Sequence, residues 1–426
     1  MHIKDSFTYI EKPDGEKSMH AEEVPLALLA NKIGTPLYVY SSLGLTERFN
    51  ALKKVLPAAL ICFSIKSNSN ISVIRTLSSL GSGADVVSGG ELHRALHAGI
   101  EAKKIVFSGV GKTDEEMAAA LNANIKQINV ESVPELELLN KVALACNSVA
   151  PVAIRVNPDV DANTHNKIST GRKEDKFGIP YKEAIYLYSK IKKLEGLESV
   201  GIATHIGSQL MTLEPFSEAF RKLSSLANNL KNSGHNIQSI DFGGGLGVNY
   251  TGNAALNISD YAKIVKTAAD DSGCQIIIEP GRFISAPAGV LITRVLYIKR
   301  TEAKIFAIVD SAMNDFIRPS LYDAWHQVDP IYYHQKSSPL QTVDIVGPIC
   351  ESGDFIAKER DLPPLTTGDL LCIRDAGAYG ASMSSTYNSR APAGEVMVSG
   401  KEWDIIKIRQ TIEELISQEN FARWQK

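Results

Sequence analysis

The chain lacks any cysteine pair at metal-ligand spacing: Cys62, Cys146, Cys274, Cys350 and Cys372 are odd in number, scattered, and never form C-x-x-C. That excludes a zinc ribbon or a disulfide framework and fits a reducing compartment. No apolar run approaches the roughly 18 residues needed to span a bilayer. The polar opening MHIKDSFTYIEKPDGEKSMH has no apolar signal-peptide core, so a cytoplasmic location without a membrane partner is expected. An excess of one charge is missing too. Lys and Arg number 45 against 48 Asp and Glu, a net charge of -3. Nucleic acid is therefore not an expected partner, because binding a phosphate backbone needs a basic face. There is no H-E-x-x-H motif. His93 and His97 stand i,i+4 on one predicted helix, but no third ligand is evident and no metal is expected.

What is present is an ordinary apolar content, 44% of 426 residues, enough for two or three domains. Short apolar, β-branched runs at 60–66, 83–88, 104–108, 127–130, 152–156, 201–205, 239–242 and 275–279 alternate with helical patterns. The helices are expected at 70–80, 89–98, 113–122, 133–146, 181–193, 214–232 and 258–271. This alternation predicts a parallel sheet covered on both faces. Eight repeats favour an α/β fold of the closed (β/α)8 TIM-type barrel over an open sheet. Lys66, Asp85, Arg155, His205, Gly243, Gly244, Gly245 and Glu279 all fall at or just past strand C-termini, where barrel active sites are built.

Beyond residue 286 the pattern changes to strands at 290–299, 303–309, 341–346, 369–373 and 395–399, then a helix at 404–418. These predict a separate C-terminal antiparallel β-domain. Residues 25–33 read as a short helix and 36–40 as an edge strand. The expected domains are an N-terminal segment, 1–36, packing with the β-domain; a barrel, 37–285; and the β-domain, 286–426.

Lys66 ends an apolar strand, where a partly dry setting lowers an amine's pKa and suits Schiff-base formation with an aldehyde cofactor. A solitary strand-end lysine would more often reach back to solvent. Phe242-Gly-Gly-Gly-Leu-Gly247 offers a side-chain-free turn for a phosphate, though such a turn is often only a turn. Here it follows the seventh strand, and Glu279-Pro280-Gly281-Arg282 follows the eighth, the usual two halves of a barrel phosphate site. Glu279 is placed to hold a pyridine nitrogen protonated, or else to pair with Arg282. His205 could stack on a ring, and Ser208 could bond a phosphate.

The set Lys66-Ser-Asn68, Gly83-Ala-Asp85, Arg155-Val-Asn-Pro158, Lys176-Phe-Gly178, His205-Ile-Gly-Ser208, Gly243-Gly-Gly245, Glu279-Pro-Gly-Arg282, Cys350-Glu-Ser-Gly-Asp354 and Asp375-Ala-Gly-Ala-Tyr379 resembles the barrel-type pyridoxal-phosphate decarboxylases, with an alanine-racemase-like fold. It is most similar to their diaminopimelate-specific branch. The match runs in order from about residue 35 to 400. One departure is Phe63-Ser-Ile-Lys66-Ser in place of the commoner Tyr-Ala-Val-Lys-Ala. The resemblance implies that pyridoxal 5'-phosphate is carried as an aldimine on Lys66. It implies that Asp85, Arg155, His205, Ser208, Gly243–Gly245, Glu279–Arg282 and Tyr379 hold the cofactor. Cys350 would be the acid that reprotonates the carbon after CO2 leaves, supplied by the partner subunit of a homodimer with shared active sites. Arg282, Arg318, Tyr322, Glu351 and Tyr379 are candidates for the substrate, meso-2,6-diaminopimelate, and L-lysine would be the product. Rivals are a sister decarboxylase acting on ornithine, arginine or carboxynorspermidine, an alanine-type racemase, and a non-catalytic cofactor carrier. Glu279 disfavours the racemase, which pairs the ring nitrogen with arginine.

Overall fold

The computed structural model of the chain describes residues 5–11, 15–161, 170–171, 174–251, 256–270, 272–333 and 339–425. The last residue of the expected helix 258–271 lies outside them. The contacts divide the chain into two units, Leu45–Ile284 and Met1–Gly44 with Ser285–Lys426.

Among the described residues, the first unit holds eight parallel barrel strands. They are Leu60–Ser64, Gly83–Val86, Ile105–Phe107, Gln127–Val130, Ala150–Asn157, Leu197–Ala203, Ser239–Asp241 and Gln275–Ile278. Each pairs with the next, and Ile277 pairs with Leu60 to close the ring. Ile179–Pro180 adds a short parallel pairing to the fifth strand. Ser88, Thr113 and Ser132 cap the helices that follow strands, each side chain accepting the backbone N–H three residues on. Thr113 and Glu116 form a full capping box. The helix Glu214–Asn232 buries Phe216, Phe220, Leu223 and Leu230 on one face, and the Phe220 ring meets Phe242 at 4.5 Å.

One layer of the barrel interior is polar. The fourth and seventh strands are separated by two others, so side-chain bonds between them must cross the inside. Ser239 Oγ donates to Gln127 Oε1 at 3.0 Å, and Asn129 Nδ2 donates to Asp241 Oδ2 at 3.2 Å. Barrel interiors are more often filled by branched aliphatic side chains.

The second unit is built round the long strand Gly289–Arg300. It pairs antiparallel with Leu37–Ser41, Leu370–Ile373 and Ile305–Val309 along different parts of its length. The expected edge strand is thus an interior one. Leu37–Ser41 lies between Gly289–Arg300 and Gly394–Ser399, with all five residues buried. Residues 37–44 accordingly group with the β-unit and not with the barrel. Two pairings are parallel, Ile305–Val309 with Gln341–Val346 and Leu37–Ser41 with Gly394–Ser399, so the domain is mixed and not purely antiparallel. The tail expected as helix 404–418 instead gives the strand Glu402–Lys407 and the short helix Ile412–Ile416, because a hairpin partner captures its first half. Phe7, Met19, Leu26, Val39, Val290, Ile292, Cys372 and Val396 form the core of this unit.

Candidate active site

The first barrel strand ends in the tight turn Ile65–Ser67, on which Lys66 stands. Lys66 Nζ lies 2.7 Å from Asp85 Oδ2 on the neighbouring strand, and the Ser64 hydroxyl donates to the same oxygen at 2.7 Å. Asp85 is fully buried, while the Lys66 side chain keeps 35% of its surface. Burial pushes the Asp85 carboxyl up, but the Lys66 ammonium and the Ser64 hydroxyl outweigh it and hold it below the usual range. The sequence suggests a dry pocket favouring a neutral amine. The structure instead puts a carboxylate against Lys66, which favours the ammonium.

The loops after the seventh and eighth strands meet. Glu279 N–H donates to the Gly243 carbonyl at 2.8 Å, and Gly244 N–H donates to His205 Nδ1 at 3.1 Å. The glycines serve mainly as space. A Cβ on Gly243 would fall 2.4 Å from the Thr204 carbonyl, and one on Gly244 would fall 2.3 Å from that of Glu279. Gly243 N–H is also spent inside the protein, on Asp241 Oδ1 at 3.0 Å. Other donors lie nearby: Arg282 bonds the Tyr250 hydroxyl at 3.0 Å and the Ser208 hydroxyl at 3.2 Å. Glu279 is not the partner of Arg282 in any of these bonds.

His205 accepts at Nδ1, so a neutral ring carries its proton on Nε2. Burial, with Arg155 and Lys66 as neighbouring cations, pushes the imidazole down to about 3, so it is neutral across the physiological range. Arg155 is engaged with the protein: it bonds Glu131 at 3.0 Å, contacts the His205 carbonyl at 3.5 Å and lies over the Phe177 ring. Glu131 also accepts Gly109 N–H at 2.8 Å and Gly178 N–H at 3.2 Å, which accounts for the Lys176-Phe-Gly178 motif. Arg155 therefore fixes the His205 backbone. Glu279 is buried, bonded to the Ser108 hydroxyl at 3.5 Å, with Asp241 and Asp85 as neighbouring carboxylates. Burial, then Asp241 and Asp85, raise its carboxyl well above the usual range.

Pyridoxal phosphate asks for an amine, a set of phosphate donors, a flat ring contact and an acid for its ring nitrogen. Lys66, Arg282 with Ser208, His205 and Glu279 supply these within one connected set, and no Cβ obstructs the turn beside them. The second oxygen of Asp85 is buried without a hydrogen-bond partner among the described residues, as expected for a group that awaits one. The site fits the cofactor.

In the second unit, Arg318 and Tyr322 lie on the short helix Arg318–Tyr322, and Arg318 is only 5% exposed. Arg318 Nε–H donates to His326 Nε2 at 3.2 Å, and His326 Nδ1 lies 2.9 Å from the Arg374 carbonyl. An arginine only donates, so His326 must accept at Nε2 and carry its proton on Nδ1. Ser320, on the same helix, donates to the Gly353 carbonyl at 2.5 Å, tying that helix to the loop of Cys350 and Glu351. Asp354 pins this loop by accepting Ile349 N–H and Met313 N–H, both at 2.7 Å. Cys350 is exposed. Glu351 is hydrogen bonded to the Tyr387 hydroxyl. Tyr379 has φ 55°, a left-handed backbone that a tyrosine adopts only where its surroundings enforce it.

Sequence reasoning missed Tyr250, His326 and the interior residues Ser108, Asn129 and Asp241. Asp241 alone left a signal, standing immediately before Phe242-Gly-Gly-Gly. The His93 and His97 rings stack at 6.3 Å, and among the described residues no group of three His, Cys, Asp or Glu could hold a metal. Nor, among them, is any helix long and apolar enough to cross a membrane.

Residues 44–286 match the family described as pyridoxal-dependent decarboxylase, pyridoxal binding domain. The diaminopimelate decarboxylase of Vibrio cholerae is 48% identical over 419 residues, covering 98% of this chain and 99% of the relative. That of Pseudomonas aeruginosa is 46% identical over 418 residues, covering 98% and 99%. The crystal structure of diaminopimelate decarboxylase from Helicobacter pylori complexed with L-lysine matches with a TM-score of 0.89 at 42% identity, covering 92% of this chain and 98% of that one.

Proposed function

The chain belongs to the diaminopimelate decarboxylases of the pyridoxal-dependent decarboxylase family, and on that premise we propose that it releases CO2 from meso-2,6-diaminopimelate to leave L-lysine. The observation that carries the cofactor-dependent decarboxylase part of this reading is the linked set at one end of the barrel: Lys66 on Asp85, His205 on Gly244, Glu279 on Gly243, and Arg282 on Ser208.

Lys66 is the amine that takes the cofactor's aldehyde, and Asp85 stabilises the proton that Lys66 carries between steps. Arg282 and the hydroxyls of Ser208 and Tyr250 hold the phosphate, with Gly243–Gly245, Pro280 and Gly281 leaving room for it. His205, neutral and braced by Arg155, lays its ring against the pyridine. Glu279 holds a proton at the ring nitrogen. When bound, pyridoxal phosphate supplies an electron sink for the pair left behind by the departing carboxylate. Cys350 of the partner subunit then delivers a proton to the substrate carbon. Its exposure in the single chain supports a covering second copy, because an acid acting beside a reactive carbon has to be shielded from water. Tyr379 and Glu351 are further candidates for contacts to the substrate. The five free cysteines accord with a cytoplasmic enzyme.

Purified protein with pyridoxal phosphate should release CO2 from meso-diaminopimelate and not detectably from L-lysine or L-ornithine. Faster release from ornithine would refute the substrate assignment. The shared site has its own test. Lys66→Ala and Cys350→Ala should each be nearly inactive, but dissociating, mixing and reassociating them makes about half the dimers mixed, each with one intact site, so about a quarter of wild-type activity should return. No recovery after verified subunit exchange would place both residues in one chain's own site.

A further inference from the structure

Asp241 ends the seventh strand fully buried, and both of its oxygens are occupied by donors. Oδ1 accepts Gly243 N–H at 3.0 Å, and Oδ2 accepts Asn129 Nδ2 at 3.2 Å. The Asn129 amide is held in this sense by its oxygen, which accepts Gln127 Nε2 at 2.9 Å. Gln127 is oriented in turn by the Ser239 hydroxyl, bonded to its Oε1 at 3.0 Å. The other Asn129 amide contact, at 3.0 Å, goes to Ser108, whose hydroxyl reaches Glu279 at 3.5 Å. The interior layer thus presents donors to Asp241, while among the described residues the Glu279 carboxyl receives only the long bond from Ser108.

Two carboxylates joined through Asn129 and Ser108 in a buried interior cannot both be charged unless a cation compensates them. Lys66, the cation facing Glu279, is committed to Asp85 at 2.7 Å, and Lys126, the cation that faces Asp241, is itself pushed down by burial. We propose that Asp241 is a positioning residue for the decarboxylation: a second carboxylate that shares one proton with Glu279 and, through it, keeps the cofactor's ring nitrogen protonated. Asp241, with two donors, is the member that favours charge, and Glu279 is the member that carries or passes the proton. Consistent with this, burial first and then the neighbouring carboxylate raise Glu279, and burial raises Asp241 despite the bond from Gly243. The inference rests on the reading that places Glu279 at the ring nitrogen. The simpler account is that Asp241 only caps the glycine turn.

Holoenzyme reconstituted with pyridoxal phosphate labelled with 15N in the ring separates these accounts, with the ring nitrogen's chemical shift followed through an alkaline titration. Asp241→Asn retains an oxygen for Gly243 N–H but removes the charge. The midpoint at which the nitrogen loses its proton should fall by about 1–3 pH units, the usual effect of a close like charge. Asp241→Ala should shift it the same way and serves if the asparagine variant does not fold. Asn129→Ala keeps the Asp241 charge and should not lower the midpoint. An unchanged midpoint in the folded Asp241 variant, or an equal fall in Asn129→Ala, overturns the proposal. Glu279→Gln identifies which reading has failed. If it moves the nitrogen signal while Asp241→Asn does not, only the role of Asp241 is lost. If Glu279→Gln moves nothing, the placement of Glu279 is wrong and this inference falls with it.

Discussion

Lys66→Ala will be colourless, will take up no borohydride-fixed cofactor, and will lose turnover on the order of 10³-fold or more, as expected when an attacking amine that also transfers protons is removed. The wild-type protein should be yellow, and borohydride should fix the cofactor to the peptide containing Lys66. Lys66 stands at the end of the first strand on a turn that keeps 35% of its side chain accessible, while Asp85 beneath it is sealed. That is the geometry of an amine steered by a carboxylate and open to a small aldehyde. Removing Lys66 also strands Asp85, whose depressed carboxyl depends on that ammonium, so the variant should bind its Asp85 proton near or above the ordinary range. Thermal unfolding of the variant checks that the barrel survives. Covalent label on any other lysine would sink the assignment.

Arg318→Met is expected to lower kcat/KM for meso-diaminopimelate by about 2–5 kcal/mol, the cost of truncating one partner of a buried charge pair. Every rival substrate shares the amine and carboxylate at the reacting carbon, so the cofactor site cannot tell them apart. Diaminopimelate alone carries a second complete amino-acid head. Its distal carboxylate calls for a guanidinium and a hydroxyl, available in Arg318 and Tyr322 with Arg282 as a further candidate, and its distal ammonium calls for an acid such as Glu351. Arg318 is well suited because it is buried and oriented. Its Nε is fixed by His326, whose ring packs edge-on against Phe316 at 4.7 Å. A planar fork fixed in this way has its orientation set before a carboxylate arrives. A site built around a charge rejects analogues that leave it unpaired. Steady-state kinetics of the folded variant decide the matter. Wild-type efficiency would remove Arg318 from the substrate site without touching the family membership.

How much of this was legible in the sequence depended on where each residue falls. Lys66, Gly243–Gly245 and Glu279 stand where an apolar run stops, so the strand pattern marks them. Asn129 was hidden because Gln-Ile-Asn-Val alternates polar and apolar residues, which reads as a strand with one wet face. In a closed barrel the second face is the interior, and closure is a long-range fact that no local window contains. Asp241 was hidden by its neighbours, since three glycines draw the eye to the turn and away from the carboxylate before it. Arg318 could be named from what the distal carboxylate of the substrate requires, but not its orientation, because His326 reaches it through a side-chain bond with no periodic signature. Leu37–Ser41 was misplaced for a related reason: its fully apolar run announces burial on both sides but does not say which strands provide it.

That strand also has a consequence for how the chain is made. Tyr40 pairs with Gly289, and Leu37 with both Ile292 and Gly394. During synthesis the strand Leu37–Ser41 emerges before both of its strand partners, which follow only after the whole barrel has been translated. The barrel is therefore an insertion that can close by itself, whereas the sheet that flanks it in sequence is assembled last from the two ends of the chain. The entropy of joining those ends grows only slowly with the length between them, and a barrel already folded holds them by a compact spacer instead of a loose coil. Until then a buried-type strand with unpaired edges is open to pairing with a neighbouring nascent chain.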